Sequence, residues 1–196
     1  MNQDRRDRLR DAAVAVLAEA GGRGLTHRAV DAAAAVPTGT AKNYFPTRDA
    51  LLRAVAERCA EQYRAVAASL AGAGPGPSDA AQLAALLAGL LRNVAGPGRP
   101  RVLAYLELQT EGTRRPWLAA LLDPIAAADF AAHAHLLRAA GLPAGPEQAR
   151  ALTLALHGAI PPLLSGGPAT LAAAGLDDLD RFARGLLAAV CPEETP

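Results

Sequence analysis

The sequence predicts an all-α protein in which a small N-terminal domain of three helices precedes a larger helical domain. Hydrophobic residues form 51% of the 196 residues but aromatic residues only 4%, so Ala and Leu supply most of the apolar surface. Ala and Leu favour helices, and β-branched residues are few. Apolar residues recur at helical spacing along the chain, and no stretch alternates as a strand does.

The first predicted helix has an apolar face and ends at Gly21-Gly22, because paired glycines terminate helices well. Its face consists of positions i, i+4, i+7, i+8 and i+11, which lie on one side of a helix. These positions are Leu9, Ala13, Val16, Leu17 and Ala20. We expect this helix to support the two short helices that follow it.

Residues 26–52 have the pattern of two short helices joined by a tight apolar turn, followed by a Pro-Thr break into a longer helix. This arrangement is typical of the helix-turn-helix, whose second helix enters the DNA major groove. That second helix is predicted from about Thr38 to Tyr44. It carries hydroxyl, amide and ammonium groups and no carboxylate, which suits contact with phosphates and base edges.

This stretch resembles the DNA-binding domain of the TetR family, the tetracycline-repressor-like bacterial transcription regulators. The matching positions are Thr26, Val30, Ala34, Val36, Gly39, Thr40, Phe45, Arg48 and Leu51. Asp31 replaces the usual Ala, Ala35 the usual Gly, Ala41 a large apolar residue and Lys42 the usual Tyr, and Tyr44 stands at the usual His position. The resemblance covers about the first quarter of the chain.

The resemblance implies a ligand-responsive DNA-binding transcriptional regulator, which we expect to be a repressor. Its partners would be double-stranded operator DNA of pseudo-palindromic sequence, a second copy of the chain and an unknown small-molecule effector that releases the DNA. The expected DNA-contact residues are Thr26, His27, Arg28, Thr38, Gly39, Thr40, Lys42, Asn43, Tyr44, Thr47 and Arg48.

The charge distribution agrees with a DNA-binding N-terminus. Residues 1–64 hold 11 Arg and Lys against 8 Asp and Glu, a balance of +3, whereas residues 65–196 hold 9 against 11, a balance of −2. Lys42, the one lysine in the chain, lies on the predicted recognition helix. Residues 1–46 are therefore predicted to form the DNA-binding domain.

A long fourth helix, residues 47–71, is predicted to connect the two domains. Thr47 is placed to cap it, and its length of about 36 Å at 1.5 Å per residue exceeds that of the N-terminal domain's own helices. Residues 72–196 are expected to form the effector-binding and dimerisation domain. Its predicted helices begin after a Ser78 cap and include 101–112, 116–140 with a kink at Pro124, 146–164 and 177–190. A loop with one or two helical turns is predicted over 166–175.

The second domain is expected to hold the effector and the dimer interface. Large or polar side chains are scarce in this Ala/Leu body, so they are candidates for lining a ligand pocket, with plain core filling an equally weighted alternative. The ligand candidates are Tyr63, Tyr105, Gln109, Trp117, Phe130, His133 and His157. By the resemblance, helices 146–164 and 177–190 pair with those of a second subunit. The interface candidates are Leu152, Leu156, Leu179, Phe182 and Leu186.

The alternative hypothesis is a small helical enzyme or ligand carrier that uses the C-terminal pocket. No zinc spacing, P-loop or nucleophile elbow occurs, and no catalytic residue or cofactor is predicted. Asp129 and His133 lie one helical turn apart, as do Glu107 and Glu111, but hydrogen-bonded or solvated pairs are commoner than metal sites. No run of residues has the length and apolarity to span a membrane, and Asp4, Asp7 and Asp11 argue against a signal peptide, so we expect a cytoplasmic protein.

Overall fold

The computed structural model describes residues 3–72 and 76–192, which form ten α-helices and no strand, so the predicted all-α class is confirmed. None of these helices combines the length and apolarity that crossing a membrane requires. In chain order they are α1 (Gln3–Gly24), α2 (His27–Ala33), α3 (Thr40–Tyr44), α4 (Arg48–Gly72), α5 (Ala80–Ala95), α6 (Arg99–Gly112), α7 (Pro116–Ala139), α8 (Pro146–Ser165), α9 (Pro168–Ala173) and α10 (Leu179–Val190).

The described residues fall into two compact units. The first unit combines the chain up to Leu70 with Pro100–Ile125, and the second unit contains the remainder. Most of α6 and the start of α7 therefore pack with the N-terminal helices. Sequence periodicity did not indicate this, because it identifies the buried face of a helix but not the partner that covers it.

The core of the first unit is built from the apolar faces of α1 to α4, α6 and α7. Leu9, Leu17 and Phe45 are almost fully buried, and Leu52 and Leu108 join them from α4 and α6. Burying such a side chain stabilises the fold by roughly 1.5–3 kcal/mol. The predicted glycine break in α1 appears as a kink at Gly21 (φ 64°), after which one more helical turn extends to Gly24.

A charged network joins α1 to α4. Arg10 is buried, and its guanidinium donates to Glu61 (2.7 Å), Asp7 (3.1 Å) and the backbone carbonyl of Ala54 (3.4 Å). Arg58 bonds Asp11 (2.6 Å) and Glu61 (3.2 Å). The hydrogen bond from Arg10 lowers the pKa of the Glu61 carboxyl, with a further contribution from Arg58. The network fixes α1 against α4 in the first unit.

Glu61→Gln is expected to destabilise the protein by about 1–2 kcal/mol. This is less than the ~3–5 kcal/mol of a fully buried pair, because the Glu61 side chain is 40% exposed. The lowered pKa of Glu61 stabilises the fold at neutral pH, and this contribution disappears as the pH falls from about 4.5 through the folded pKa. Urea unfolding at pH 7 and pH 3 measures both effects. Glu57→Gln on the same helix is the control. A loss of stability for Glu61→Gln that is equal at both pH values would show that the Glu61 carboxylate does not stabilise the fold through its lowered pKa.

The turn after α2 is a Schellman motif that contains a strained residue. The N–H of Val36 donates to the Asp31 carbonyl (3.0 Å), and that of Ala35 donates to the Ala32 carbonyl (3.1 Å). Ala35 adopts φ 50°, a left-handed conformation that its Cβ disfavours. This position is the one at which the family pattern has Gly.

Ala35→Gly is expected to stabilise the protein by about 0.5–1 kcal/mol. Removing the Cβ relieves the left-handed strain, although the greater freedom of Gly in the unfolded chain offsets part of the gain. Thermal unfolding measures the effect. Ala33→Gly, in the helical backbone two residues earlier, is the matched control and should destabilise by a similar amount. A lower melting temperature for Ala35→Gly would show that the turn is not strained.

The core of the second unit lies among α5, α7, α8 and α10, and Leu83, Leu87, Leu137, Leu152 and Leu187 are all buried there. Two of its helices have an aspartate as their N-cap residue. Asp79, rather than the predicted Ser78, caps α5 by accepting the Gln82 N–H, and Asp178 caps α10 by accepting the Arg181 N–H.

Two helices, α7 and α8, continue through internal prolines. α7 continues through Pro124 to Ala139, and α8 continues through Pro161-Pro162 to Ser165. The α8 prolines lack the N–H groups that would bond the carbonyls of His157 and Gly158, and α8 ends about one turn later, at Ser165. The predicted loop over 166–175 contains the short helix α9, which begins at Pro168, a residue well suited to a first helical turn.

Candidate nucleic-acid interface and ligand site

The predicted helix-turn-helix is formed by α2, the turn over residues 34–39, and α3. Gly39 takes a left-handed conformation (φ 93°) as the N-cap residue of α3, so the helix begins at Thr40 instead of Thr38. Ala41 is fully buried and points into the core of the first unit. The opposite side of α3 is consequently turned toward solvent.

Several of the predicted DNA-contact side chains are exposed. Arg28, Thr38, Lys42 and Asn43 are exposed on α2, the turn and α3. Thr26 and Thr47 are exposed too, but their hydroxyls already accept N–H groups that begin α2 and α4, from Ala29 (3.1 Å) and Ala50 (3.0 Å). The exposed donors of α3 are therefore an ammonium and an amide, the groups that suit phosphate and base-edge contact.

The other predicted DNA-contact side chains, among them the exposed Arg48, make contacts within the protein. His27 Nε2 donates to the Phe45 carbonyl at 2.5 Å, and the Thr40 hydroxyl donates to the Pro37 carbonyl at 2.5 Å.

Arg48 donates to the backbone carbonyls of Leu25 (2.9 Å) and Gly22 (2.5 Å), and Tyr44 is half-buried against the core. These four side chains make contacts within the motif, and contact of each with DNA stays a prediction.

One functional candidate was missed from the sequence. Asp31 is only 2% exposed, and its carboxylate accepts the N–H groups of Gly39 (2.7 Å) and Ala41 (2.6 Å). In the sequence it stood out only as a departure from the family pattern. Its spacing of four residues from His27 was the available signal, because both side chains then lie on one face of α2.

The first four ligand candidates lie in the first unit. The rings of Tyr63 and Tyr105 are 5.1 Å apart, and the guanidinium of Arg101 lies 5.2 Å from the Tyr63 ring. Arg53 lies 4.6 Å from the ring of the half-buried Trp117. Gln109 is on an exposed face of α6.

The remaining three ligand candidates lie between α7 and α8 of the second unit. His157 Nε2 is 3.0 Å from the Asp129 carboxylate, and its ring contacts Phe130 edge-on at 6.4 Å. His133 Nδ1 donates to the hydroxyl of Thr153 (2.9 Å), since that hydroxyl donates its own hydrogen to the Ala149 carbonyl (2.7 Å).

Burial lowers the pKa of His133, against the opposing influence of Asp129. His133 is therefore neutral at pH 7, and its Nε2 is an acceptor. The seven ligand candidates thus form two groups, one in each unit. Within the described part of the chain, no three His, Cys, Asp or Glu side chains are placed to hold a metal ion.

An open apolar groove of about 430 Å³ is lined by α8, by residues 174–176 and by α10. Phe182 and Leu186 line it, and Leu179 is half-buried nearby. Leu152 and Leu156 are buried in the core of the second unit, and their predicted place in a dimer interface stays a prediction. The groove is lined by Ala155, Gly158, Ala159, Pro162, Ala174, Gly175, Leu176, Arg181, Phe182, Gly185 and Leu186.

The fold and these sites define a helical protein with an N-terminal helix-turn-helix, and comparison with known proteins supplies its family. The family model described as "Tetracyclin repressor-like, C-terminal domain" matches residues 78–189. No curated protein matches the chain.

Solved structures resemble the chain over nearly its whole length. A TetR-family member from Streptomyces coelicolor A3 is 32% identical, with a TM-score of 0.67 over 96% of this chain and 99% of that one. The multidrug binding protein EbrR complexed with ethidium is 32% identical, with a TM-score of 0.66 over 96% and 99%. A putative TetR-family regulator from Rhodococcus sp., at 23% identity and a TM-score of 0.67, shares the fold. The chain belongs to the TetR family of transcriptional regulators.

Proposed function

We propose that this protein is a ligand-responsive repressor of the bacterial cytoplasm that binds a pseudo-palindromic operator as a homodimer. The observation that carries this proposal is the exposed pair Lys42 and Asn43 on α3, a helix whose opposite side is anchored in the core. The ammonium suits a phosphate, and the amide suits the bidentate pattern that adenine presents in the major groove. The relatives are regulators, which supports regulation over an enzyme or carrier.

The proposed dimer forms through the groove on α8 and α10. Small residues leave free space on this surface. A Cβ placed on Gly158 or Gly185 would have no heavy atom within 4 Å, so side chains of a partner could fill that space. Leu154 is 61% exposed and lies one turn before Gly158 and two turns before Pro162, so it extends the same apolar stripe. Apolar surface of this kind favours a protein partner over water. A second copy of the chain places two α3 helices on one operator, as pseudo-palindromic recognition requires.

The effector is proposed to be an aromatic organic cation bound beside Phe130, His133 and His157. The relative EbrR has been solved with ethidium, proflavin and malachite green, which are aromatic cations. In this chain the Asp129 carboxylate lies at the Phe130–His157 pair, which offers a charge and an aromatic ring to such a ligand. The Tyr63 and Trp117 rings are less suited, since guanidinium groups already lie over them.

The experiment that tests this function is selection of genomic fragments by the purified protein, followed by release with ethidium. We expect a small set of fragments with an inverted repeat, bound in a salt-sensitive manner. Ethidium also intercalates into DNA, so release is measured alongside direct ligand binding to the protein alone. Retention of no fragment above a random duplex would contradict DNA regulation. Ethidium binding that leaves DNA affinity unchanged would contradict its role as the effector.

A further inference from the structure

The recognition helix α3 is too short to hold its own shape. It comprises five residues, whereas isolated helices below about 12–15 residues are marginal in water. Its conformation and direction must therefore come from tertiary contacts. The buried Ala41 supplies one contact, but a methyl group does not fix the rotation of a helix about its axis.

Two side chains from one face of α2 hold the two ends of α3. At the N-terminal end, the Asp31 carboxylate accepts the N–H groups of Gly39 (2.7 Å) and Ala41 (2.6 Å). At the C-terminal end, His27 Nε2 donates to the carbonyl of Phe45 at 2.5 Å. His27 and Asp31 are four residues apart in α2, so both project toward α3.

The hydrogen bonds to the Asp31 carboxylate are charge-assisted. Hydrogen bonds from N–H groups to a carboxylate are shorter and stronger than neutral ones, and both carboxylate oxygens are engaged here. The N–H between them, that of Thr40, donates to the Pro37 carbonyl at 3.1 Å. Every N–H from Gly39 to Ala41 thus has a partner inside the protein. This end of α3 is held from within before any DNA arrives.

We propose that Asp31 and His27 are positioning residues that set the direction of α3 and thereby the sequence specificity of the regulator. The proposal rests on the DNA-binding function proposed above, because specificity is a property of that binding. Base-edge contacts by Asn43 depend on a fixed geometry, whereas a phosphate contact by Lys42 tolerates displacement, since an ammonium acts as a point charge. We call the hydrogen bonds from Asp31 and His27 to the two ends of α3 the clamp. Loss of the clamp should therefore reduce discrimination between DNA sequences more than it reduces overall DNA affinity.

The first test needs no DNA. In Asp31→Asn, an amide N–H₂ faces backbone N–H groups that require two acceptors. We expect amide hydrogen exchange at Gly39 and Ala41 to accelerate by about tenfold, with exchange elsewhere in the first unit unchanged. Asp4→Asn, at an exposed carboxylate of α1, is the charge-matched control. Unchanged exchange at Gly39 and Ala41 in a folded Asp31→Asn variant would overturn the clamp.

The second test measures specificity. For wild type and variants, affinity is compared between the selected operator and a duplex altered at the base pair that Asn43 reads, in buffers of increasing salt. Asp31→Asn should lower this ratio of affinities by about tenfold, the value of one good base contact, with an unchanged salt slope. An unchanged ratio would overturn the role in specificity.

Substitution of His27 tests the clamp at the C-terminal end of α3. Because His27 is only half-buried, its variants remain a valid test if Asp31→Asn does not fold. We expect His27→Ala to lower the ratio and His27→Gln, which keeps a side-chain N–H, to restore part of it. Equal ratios for His27→Ala and wild type would overturn the clamp. Failure of the wild type to bind DNA would contradict the proposed function and the role in specificity, whereas the hydrogen-exchange result decides independently whether the clamp exists.

Discussion

Leu186→Asp is expected to convert the dimer into monomers and to remove most operator binding. Leu186 is half-buried and lines the α8–α10 groove that we assign to the partner subunit. A carboxylate buried there without a partner costs several kcal/mol, about 3–5 kcal/mol for an unpaired buried charge, in each of two symmetry-related positions. A single helix-turn-helix also makes half of the contacts, so affinity should fall by more than 100-fold, the loss of over ~2.7 kcal/mol.

Light scattering at micromolar concentration and a gel-shift titration measure the two consequences of Leu186→Asp. Ala188→Asp is the matched control, because it introduces the same charge on the same helix at an exposed position outside the groove lining. It should stay dimeric and keep its DNA affinity. A dimeric Leu186→Asp variant would show that the interface lies elsewhere.

Lys42→Ala and Asn43→Ala are expected to weaken operator binding in two different ways. Both side chains are exposed on α3. If Lys42 neutralises a phosphate, its loss lowers the slope of log K against log salt by about 0.9 for each contact and weakens all sequences alike. If Asn43 reads a base edge, its loss costs about 1–3 kcal/mol and relaxes the preference at one position in each half-site.

A gel-shift titration over several salt concentrations and a set of single-base operator variants separate these effects. Arg138→Ala is the control for lost positive charge, since Arg138 is exposed on α7 in the second unit. Its salt slope should equal that of the wild type. Unchanged binding by both α3 variants would remove the assignment of α3 as the recognition helix.

The sequence was sufficient to identify the helices and the helix-turn-helix, because apolar periodicity and turn residues are local signals. Gly39 and Gly21 illustrate this, since both take the left-handed conformation that glycine permits, at a helix start and a helix kink. The family pattern also indicated which residue types lie on α3. These features depend on the chain within a few residues of each position.

The partners of polar side chains were not predictable, because they depend on contacts between distant residues. Arg48 looked suited to phosphate, but its guanidinium reaches two backbone carbonyls of the α1–α2 connection. Asp31 stood out only as a departure from the family pattern, but its carboxylate is buried and bonds the start of α3. A residue type specifies which bonds are possible, and only the fold determines which bond is made.

The contacts of α6 in the first unit offer a second route for the proposed effector signal to α3. The sequence suggested α4 as the connecting element. In the first unit, however, Glu107 of α6 accepts the Gly22 N–H at 3.0 Å, and Arg48 bonds the carbonyl of the same residue. Arg115 further joins Glu111 of α6 to Asp49 at the start of α4. We propose that α6 therefore acts on the α1–α2 connection directly, in parallel with α4.

Measurement of the mass and salt dependence of the complex on a selected operator tests whether the protein is a dimeric, sequence-specific regulator. Analytical ultracentrifugation of the protein with a duplex carrying one inverted repeat gives the number of chains bound, and repetition at increasing salt gives the electrostatic contribution. We expect two chains on each operator, with binding that weakens steeply as salt rises. One chain bound to each operator, or affinity for the operator no greater than for a random duplex, would contradict a dimeric, sequence-specific regulator.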